Sequence, residues 1–371
     1  MAVVNQRFLQ PGERIRVMVV DDSVVIRRLV THALEQHPTL EVVGTASNGS
    51  IGLQRIPQLN PDVVTLDIEM PDMDGLEMLR RIRREYPKLR VIMFSTLTER
   101  GAAKTLEALT LGADDYVAKV SNEGSLDRSM VSLREEMIPK IMQFFRLPEQ
   151  SRSVARPELG PALAGSTAAR PAPFLQGMKV RPKVVVIGVS TGGPTALGVI
   201  LPNLPASFPL PVLVVQHMPP LFTRLLAERL NSTCHVPVGE AGQDSPVLPG
   251  NILIAPGDFH MKVTSNGGGI RVFLDQSARQ NSCRPAVDAL FVSAAEIYGG
   301  AVLAVVLTGM GQDGLRGVEI LKAQGASVIV QDEASSVVWG MPGAVVNAGL
   351  ADRVLPLDQV VPEILRVTGN L

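Results

Sequence analysis

The sequence predicts an α/β protein made of two doubly wound parallel-sheet domains joined by a linker. Three observations carry that prediction. The chain has 371 residues, more than one ordinary domain holds. Apolar strand-like runs alternate with amphipathic segments in both halves. Between the halves lies a stretch rich in Pro, Ala, Gly and Ser with no apolar period, the pattern of a flexible linker. These shifts divide the chain into 14–145, a linker 146–181, and 182–371.

In the first domain the runs "IRVMVV", "EVVGTA", "DVVTLDI", "RVIMFS" and "DDYVAK" are the expected parallel strands, with helices between them on both faces. In the second, "KVVVIG", "PVLVVQ" and "AVLAVVL" are buried parallel strands. They are interrupted by a region of hairpin signals, where "ILIAP", "HMKVT" and "IRVFL" are short strands and "SNGGG" is a turn between the last two.

Composition removes several function classes. With 46% hydrophobic and 19% charged residues and a formal net charge of −1, the chain has no field for nucleic acid or anionic lipid. Its two cysteines, Cys234 and Cys283, supply no disulfide framework and no paired metal-ligand spacing, which points to a reducing compartment. The first residues, "MAVVNQRFLQPGER", lack the apolar run of a signal peptide, and no run reaches the roughly 18–20 apolar residues of a membrane span. The expected location is the cytoplasm, without membrane insertion.

Strand ends carry the chemistry of the first domain. Asp21 and Asp22 end its first strand, Asp67 its third and Lys119 its fifth. In a doubly wound sheet the carboxyl ends of strands share one crevice, so three carboxylates and an ammonium converge. Like charges so crowded call for a cation, and carboxylate oxygens suit Mg²⁺. Asp67 is placed to attack phosphorus and form an acyl phosphate, with Lys119 and a hydroxyl of Ser95 or Thr96 holding the added oxygens. The plainer alternative is that the aspartates only cap the helices that follow.

The second domain opens on "GVSTGG", where Ser190 follows a buried strand. That motif alone allows a nucleophile elbow, a phosphate cradle or a bare turn. It lacks the spacing of a dinucleotide or P-loop turn. A serine nucleophile needs a base oriented by a third group. Of the five histidines only His217, in "VLVVQHMPP", stands just beyond a buried parallel strand. Among the acids Asp313, in "LTGMGQDG", lies in a glycine-rich turn beyond another, although a helix cap is its simple alternative. Asp258, Asp275 and Asp288 are weaker candidates. Ser190, His217 and Asp313 each follow a parallel strand, which places them in one crevice. Their order, Ser–His–Asp, differs from that of α/β-hydrolases.

Two resemblances follow from these residues. "VVDDS", "LDIEMPDMDG", "MFST" and "DYVAK" resemble the motifs of response-regulator receivers over about residues 14–145. That resemblance implies a flavodoxin-like fold, Asp67 as phosphoacceptor, and Mg²⁺ held by Asp22, Asp67 and the Glu69 carbonyl. It also implies that Tyr116 is an aromatic whose rotamer follows the phosphorylation state. Receivers usually follow the lysine with proline, and this chain has Val120.

"IGVSTGGPTAL", "VVQHMPPLFTRLLAERLN", "VLPGNILIAPGDFHM", "RPAVDALF", "LTGMGQDG" and "GMPGAV" are similar to the catalytic domain of the chemotaxis protein-glutamate methylesterase family over about 182–368. "DQSARQNSC" departs from the proline-rich form of that family's loop. The resemblance implies a Rossmann-like domain with an antiparallel hairpin, Ser190 as nucleophile, His217 as base and acid, and Asp313 as orienter. Thr191 and Met310 become supporting neighbours, and no cofactor is expected in this domain. The implied activity is phosphorylation-activated hydrolysis of glutamyl methyl esters, with glutamine deamidation, in a two-component chemosensory system. Methyl-accepting chemotaxis receptors would be the substrate and a chemotaxis histidine kinase the phosphodonor. The competing expectation is a two-domain adaptor that only binds a partner. A transcription regulator would need a basic helix-turn-helix that the sequence lacks.

Overall fold

The computed structural model describes residues 7–96, 98–119, 126–146 and 180–369. Val120 and most of the expected linker lie outside the described residues. The N-terminal half runs β1 (Arg7–Phe8), β2 (Ile15–Val20), α1 (Val24–Glu35), β3 (Leu40–Ala46), α2 (Gly49–Leu59), β4 (Val63–Asp67) and α3 (Gly75–Glu85). It continues through β5 (Arg90–Ser95), α4 (Glu99–Thr110), β6 (Asp115–Ala118), α5 (Leu126–Met142) and β7 (Phe145–Arg146). Five strands form a parallel sheet in the order β3-β2-β4-β5-β6, and β1 pairs with β7 at the margin. This is the flavodoxin-like order, whose switch point lies at the carboxyl ends of β2 and β4.

The C-terminal half opens with β8 (Val184–Val189), α6 (Gly193–Ile200), β9 (Val212–Gln216), α7 (Pro220–Asn231), β10 (Val238–Glu240) and β11 (Ile252–Ile254). Next come β12 (His260–Ser265), β13 (Ile270–Asp275), α8 (Val287–Tyr298), β14 (Val302–Val306) and α9 (Leu315–Ala323). The chain finishes with β15 (Ser327–Gln331), α10 (Met341–Asn347), β16 (Arg353–Leu355) and α11 (Leu357–Thr368). Seven strands make a parallel sheet in the order β10-β11-β9-β8-β14-β15-β16. All residues of β8, β9 and β14 are buried, as expected of strands covered on both faces.

Antiparallel β12 and β13 form the expected hairpin, turning through Gly267 and Gly269 at φ 73° and 115°. "ILIAP" is not part of it: β11 pairs in parallel with β9 and β10 inside the main sheet. Three-residue strands such as β10, β11 and β16 carry too short a pattern for the period to show which sheet they join.

The two halves pack on each other. Helix α4 lies against α6 and α7, and one apolar cluster runs from Leu106, Leu109 and Tyr116 to Ala196, Leu197 and Phe222. Tyr116 stacks on Phe222 with ring centroids 4.7 Å apart and planes 12° from parallel. Around it Thr195 Oγ1 donates to the Leu109 carbonyl at 2.9 Å, and Arg224 pairs with Glu99 at 2.8 Å. Arg146 of the first half also pairs with Glu333 of the second at 2.7 Å. No helix among the described residues is long and apolar enough to cross a membrane.

Candidate functional site

The first crevice assembles as expected. Carboxylate oxygens of Asp21, Asp22 and Asp67 lie within 4.8 Å of one another, a donor set that fits a divalent cation. Lys119 Nζ sits 2.9 Å from Asp21 Oδ2 and 2.8 Å from Asp67 Oδ2. Asp21 Oδ2 is buried and accepts no well-directed hydrogen bond, so it keeps lone pairs for a cation. The caps of α1 and α3 are Ser23 and Asp74, which removes helix capping as the reason for Asp21, Asp22 and Asp67.

Burial raises the Asp67 carboxyl to about 6, with repulsion from Asp21 adding to it, against the hydrogen bond from Lys119. Burial also opposes the charge of Lys119, but its two carboxylate partners win and hold it above the ordinary lysine range. A neighbouring cation or a bond to phosphorus relieves the charge that Asp67 carries here.

Neither hydroxyl reaches Asp67. Ser95 Oγ donates to the Gly101 carbonyl at 3.2 Å, in the first turn of α4, and Thr96 Oγ1 lies 3.2 Å from Thr98 Oγ1. Ser95 is 2% exposed, and its buried hydroxyl finds acceptors in the Gly101 carbonyl and, at 3.3 Å, the Thr96 carbonyl. The Glu69 side chain turns outward to Lys104 at 2.8 Å, while its backbone N–H donates to Asp67 Oδ1 at 3.4 Å.

The second crevice lies at the carboxyl ends of β8, β9 and β14. Pairing of Val189 with Gln216 sets Ser190 and His217 side by side at the next step of the two strands. His217 Nε2 is 2.7 Å from Asp313 Oδ2. The glycines around Ser190 answer to close approach: a Cβ on Gly193 would stand 1.8 Å from Gln216 Oε1, and one on Gly309 2.8 Å from Ser190 Cβ. Gly192 takes φ 79° at the strand-to-helix turn. Gln216 Nε2 donates to the Ser190 carbonyl at 3.0 Å and fixes that turn.

Asp313 is both cap and partner. Its Oδ2 accepts from Val287 N–H at 2.6 Å, its Oδ1 from Asp288 N–H at 3.1 Å and Gly314 N–H at 3.0 Å, so it satisfies the start of α8 from another loop. These donors and the His217 contact outweigh burial and hold Asp313 below the usual carboxylate range. Burial lifts the neighbouring Asp288, which also feels the Asp313 charge. His260 is structural: fully buried, it accepts from Ala286 N–H at 3.2 Å and meets the Ala278 carbonyl at 3.1 Å.

Two features depart from the expected arrangement. The Ser190 hydroxyl makes no hydrogen bond among the described residues; the second ring nitrogen of His217, Nδ1, faces Cys283 Sγ at 3.5 Å. Burial lowers the His217 imidazole, but its bonds to Asp313 and Cys283 outweigh this and raise it to about 10. Secondly, Thr191 Oγ1 lies 2.9 Å from Asp115 Oδ2 and 3.1 Å from Gln143 Oε1, both in the N-terminal half. Met310 is 43% exposed.

The family profile described as CheB methylesterase matches residues 185–364, and the response regulator receiver domain matches 17–130. A protein-glutamate methylesterase/protein-glutamine glutaminase of Trichodesmium erythraeum is 49% identical over 96% of this chain and 99% of its own length. One from a Nocardioides strain is 53% identical over 96% of this chain and 95% of its own. The chain belongs to the protein-glutamate methylesterase/protein-glutamine glutaminase family. The crystal structure of the Thermotoga maritima CheB methylesterase catalytic domain is 48% identical, with a TM-score of 0.49, covering 51% of this chain and all of that one.

Within this methylesterase-family chain the sequence singled out Ser190, His217 and Asp313 but passed over Asn281 and Cys283. Asn281 Nδ2 donates to Asp313 Oδ1 and to Asp288 Oδ2, each at 2.9 Å. The Asn–Ser pair signals a turn, but nothing in its spacing ties that turn to Asp313.

Proposed function

We propose that the protein is a phosphorylation-activated protein-glutamate methylesterase that hydrolyses glutamyl methyl esters on chemotaxis receptors and deamidates receptor glutamines. Residues 14–145 are the receiver, 146–181 the linker and 182–371 the catalytic domain. The carrying observation is the register that sets Ser190 beside His217, with His217 2.7 Å from Asp313. The catalytic domain calls on no cofactor. The enzyme works on the cytoplasmic part of methyl-accepting receptors, with the chemotaxis histidine kinase as phosphodonor; it binds no nucleic acid.

Hydrolysis needs His217 neutral, with Ser190 in place of Cys283 at its free nitrogen. His217 takes the hydroxyl proton as Ser190 Oγ bonds to the γ-carbonyl carbon; collapse of the tetrahedral oxyanion expels methoxide, which leaves as methanol with that proton. Water, deprotonated by His217, cleaves the acyl-enzyme and returns Ser190. On a glutamine the same attack expels ammonia.

The oxyanion falls to backbone donors. Gly193 N–H is already spent on the Ser190 carbonyl at 2.8 Å, whereas Thr191 and Gly192 N–H meet no protein acceptor among the described residues, so these two are the donors. Asp313 holds the imidazolium in orientation throughout.

The contact of Thr191 with Asp115 and Gln143 supports obstruction of the crevice by the receiver. In the receiver Asp22, Asp67 and the Glu69 carbonyl would hold Mg²⁺, which would supply positive charge to offset that of the phosphoryl oxygens. The Asp67 carboxylate attacks phosphorus, the donor's leaving group departs, and Lys119 pairs with the new phosphoryl charge. Ser95 then turns from the Gly101 carbonyl to a phosphoryl oxygen. That bond is the link to α4, which packs on α6 and α7, so loosening it weakens the cover over Ser190.

Two tests apply. In the full chain at pH 7.5, millimolar Mg²⁺ raises Tm by a few degrees, by relieving an ionised buried Asp67 that costs about 3 kcal/mol. The sign follows from the raised pKa: the cost is absent below pH 3.8 and full above about 6. Asp67→Asn therefore shows little of the Mg²⁺ increment; an undiminished increment places the cation elsewhere. For obstruction, the fragment 182–371 hydrolyses methylated receptor at least about tenfold faster than the unphosphorylated full chain, a coupling of the usual size. Equal rates reject the obstruction.

A further inference from the structure

Gln280 and Cys283 close a tight turn by exchanging backbone hydrogen bonds, at 3.1 Å and 2.8 Å. Its two central residues, Asn281 and Ser282, take φ 49° and 64°, left-handed values that side chains other than glycine rarely adopt. Such strain persists only where the surroundings impose it. The turn sends the side chains of Asn281 and Cys283 to the two ends of one ion pair. Asn281 meets Asp313 from behind, at 2.9 Å, while its other amide hydrogen goes to Asp288. Cys283 meets His217 at the nitrogen left free by Asp313.

We propose that the Gln280–Cys283 turn is a positioning clamp on the His217–Asp313 pair, in which Asn281 fixes the Asp313 carboxylate and Cys283 occupies His217 Nδ1 until the Ser190 hydroxyl displaces it. The proposal rests on the esterase function given above and adds two positioning residues to it, Asn281 acting through Asp313 and Cys283 through His217.

The clamp accounts for the first departure of the site, the unbonded Ser190 hydroxyl. Asp313 Oδ1 accepts from Asn281, Asp288 and Gly314, and Oδ2 from Val287 and His217, so the carboxylate has one orientation and the ring follows it. The protonated ring donates Nε2–H to Asp313 and Nδ1–H to Cys283, and no hydrogen-bonding position is left for Ser190. The ionisable groups facing the pair are Cys283 on the turn and Asp288 on α8; Arg284 turns away to Asp258 at 2.6 Å. Removal of the thiol therefore takes from His217 one of the two partners that favour its charged form, and the imidazole titrates at lower pH.

Two variants of the full chain test this. Asn281→Gly deletes the amide while leaving a residue at ease with φ 49°, so the turn itself is retained. It lowers kcat for methanol release from methylated receptor about tenfold to a hundredfold, the range for losing a hydrogen bond to a charged group, with KM unchanged. Cys283→Ala moves the His217 titration, followed by ¹⁵N NMR of the imidazole and assigned with His217→Asn, to lower pH, and shifts the acid limb of kcat/KM the same way. Cys283→Ser keeps an acceptor and shows a smaller shift. A wild-type kcat in Asn281→Gly, or an unmoved His217 titration in Cys283→Ala, overturns the clamp. Failure of the wild type to release methanol strikes the esterase function instead, and the NMR titration still decides the clamp.

Discussion

Ser190→Ala lowers methanol release from methylated receptor by at least about 10⁴-fold while receptor binding is unchanged. The size follows from the role of a nucleophile: without Oγ there is no acyl-enzyme, and only positioning and the oxyanion donors remain. Folding is not at stake in this variant, because the Ser190 hydroxyl makes no hydrogen bond among the described residues and the turn is held by backbone atoms. Ser190 N–H donates to the Thr308 carbonyl at 3.0 Å, and the Ser190 carbonyl accepts from Gly193 N–H and Gln216 Nε2. Residual release within tenfold of the wild type would show that another group attacks the ester. Cys283 is then the first to examine, since it already faces His217.

Asp67→Asn abolishes the rise in esterase rate that a small phosphodonor with Mg²⁺ produces in the wild type, and leaves the basal rate within about threefold. Asparagine keeps the shape of the side chain but has no carboxylate to form an acyl phosphate. The stimulation itself is expected at about tenfold or more. A phosphodonor can shift the cover only by as much as the phosphorylated and unphosphorylated states differ in their hold on it, and coupling of this kind is commonly about 1–3 kcal/mol. The contacts available to be lost include the Tyr116–Phe222 stack, the Thr191 bonds to Asp115 and Gln143, the Thr195 bond to Leu109, and the Arg224–Glu99 and Arg146–Glu333 pairs. Continued stimulation of the Asp67→Asn chain, measured as methanol release per minute with and without acetyl phosphate, would place the phosphorylation elsewhere.

The ends of the long strands were legible in the sequence, and with them both crevices. Six-residue apolar runs such as "VVVIGV" announce a buried strand, and once strand ends are known a parallel sheet collects whatever follows them: Asp67 with Lys119, Ser190 with His217 and Asp313. Three things were not legible. The strands β10, β11 and β16 have three residues each, too few to show a period, so the sequence of "ILIAP" does not separate a place in the main sheet from one in the hairpin region.

The partner of a side chain from a distant loop is also hidden, because no spacing relates Asn281 to Asp313 or Cys283 to His217. Lastly, the state of a hydroxyl depends on rotamers: the pattern around Ser95 and Ser190 names them as candidates, but only the structure shows Ser95 bonded to Gly101 and Cys283, not Ser190, at His217 Nδ1. At Asp313 the sequence allows a helix cap or a partner for His217, and the same carboxylate serves the start of α8 and His217 together.

The central claim is that one chain couples phosphorylation of Asp67 to ester hydrolysis at Ser190. Its most direct test is the time course of methanol release from a methylated chemotaxis receptor by the full-length protein, with and without acetyl phosphate and Mg²⁺. The account predicts slow release without the phosphodonor and release at least about tenfold faster with it, within the usual range of coupling between two sites. No methanol under either condition would contradict it.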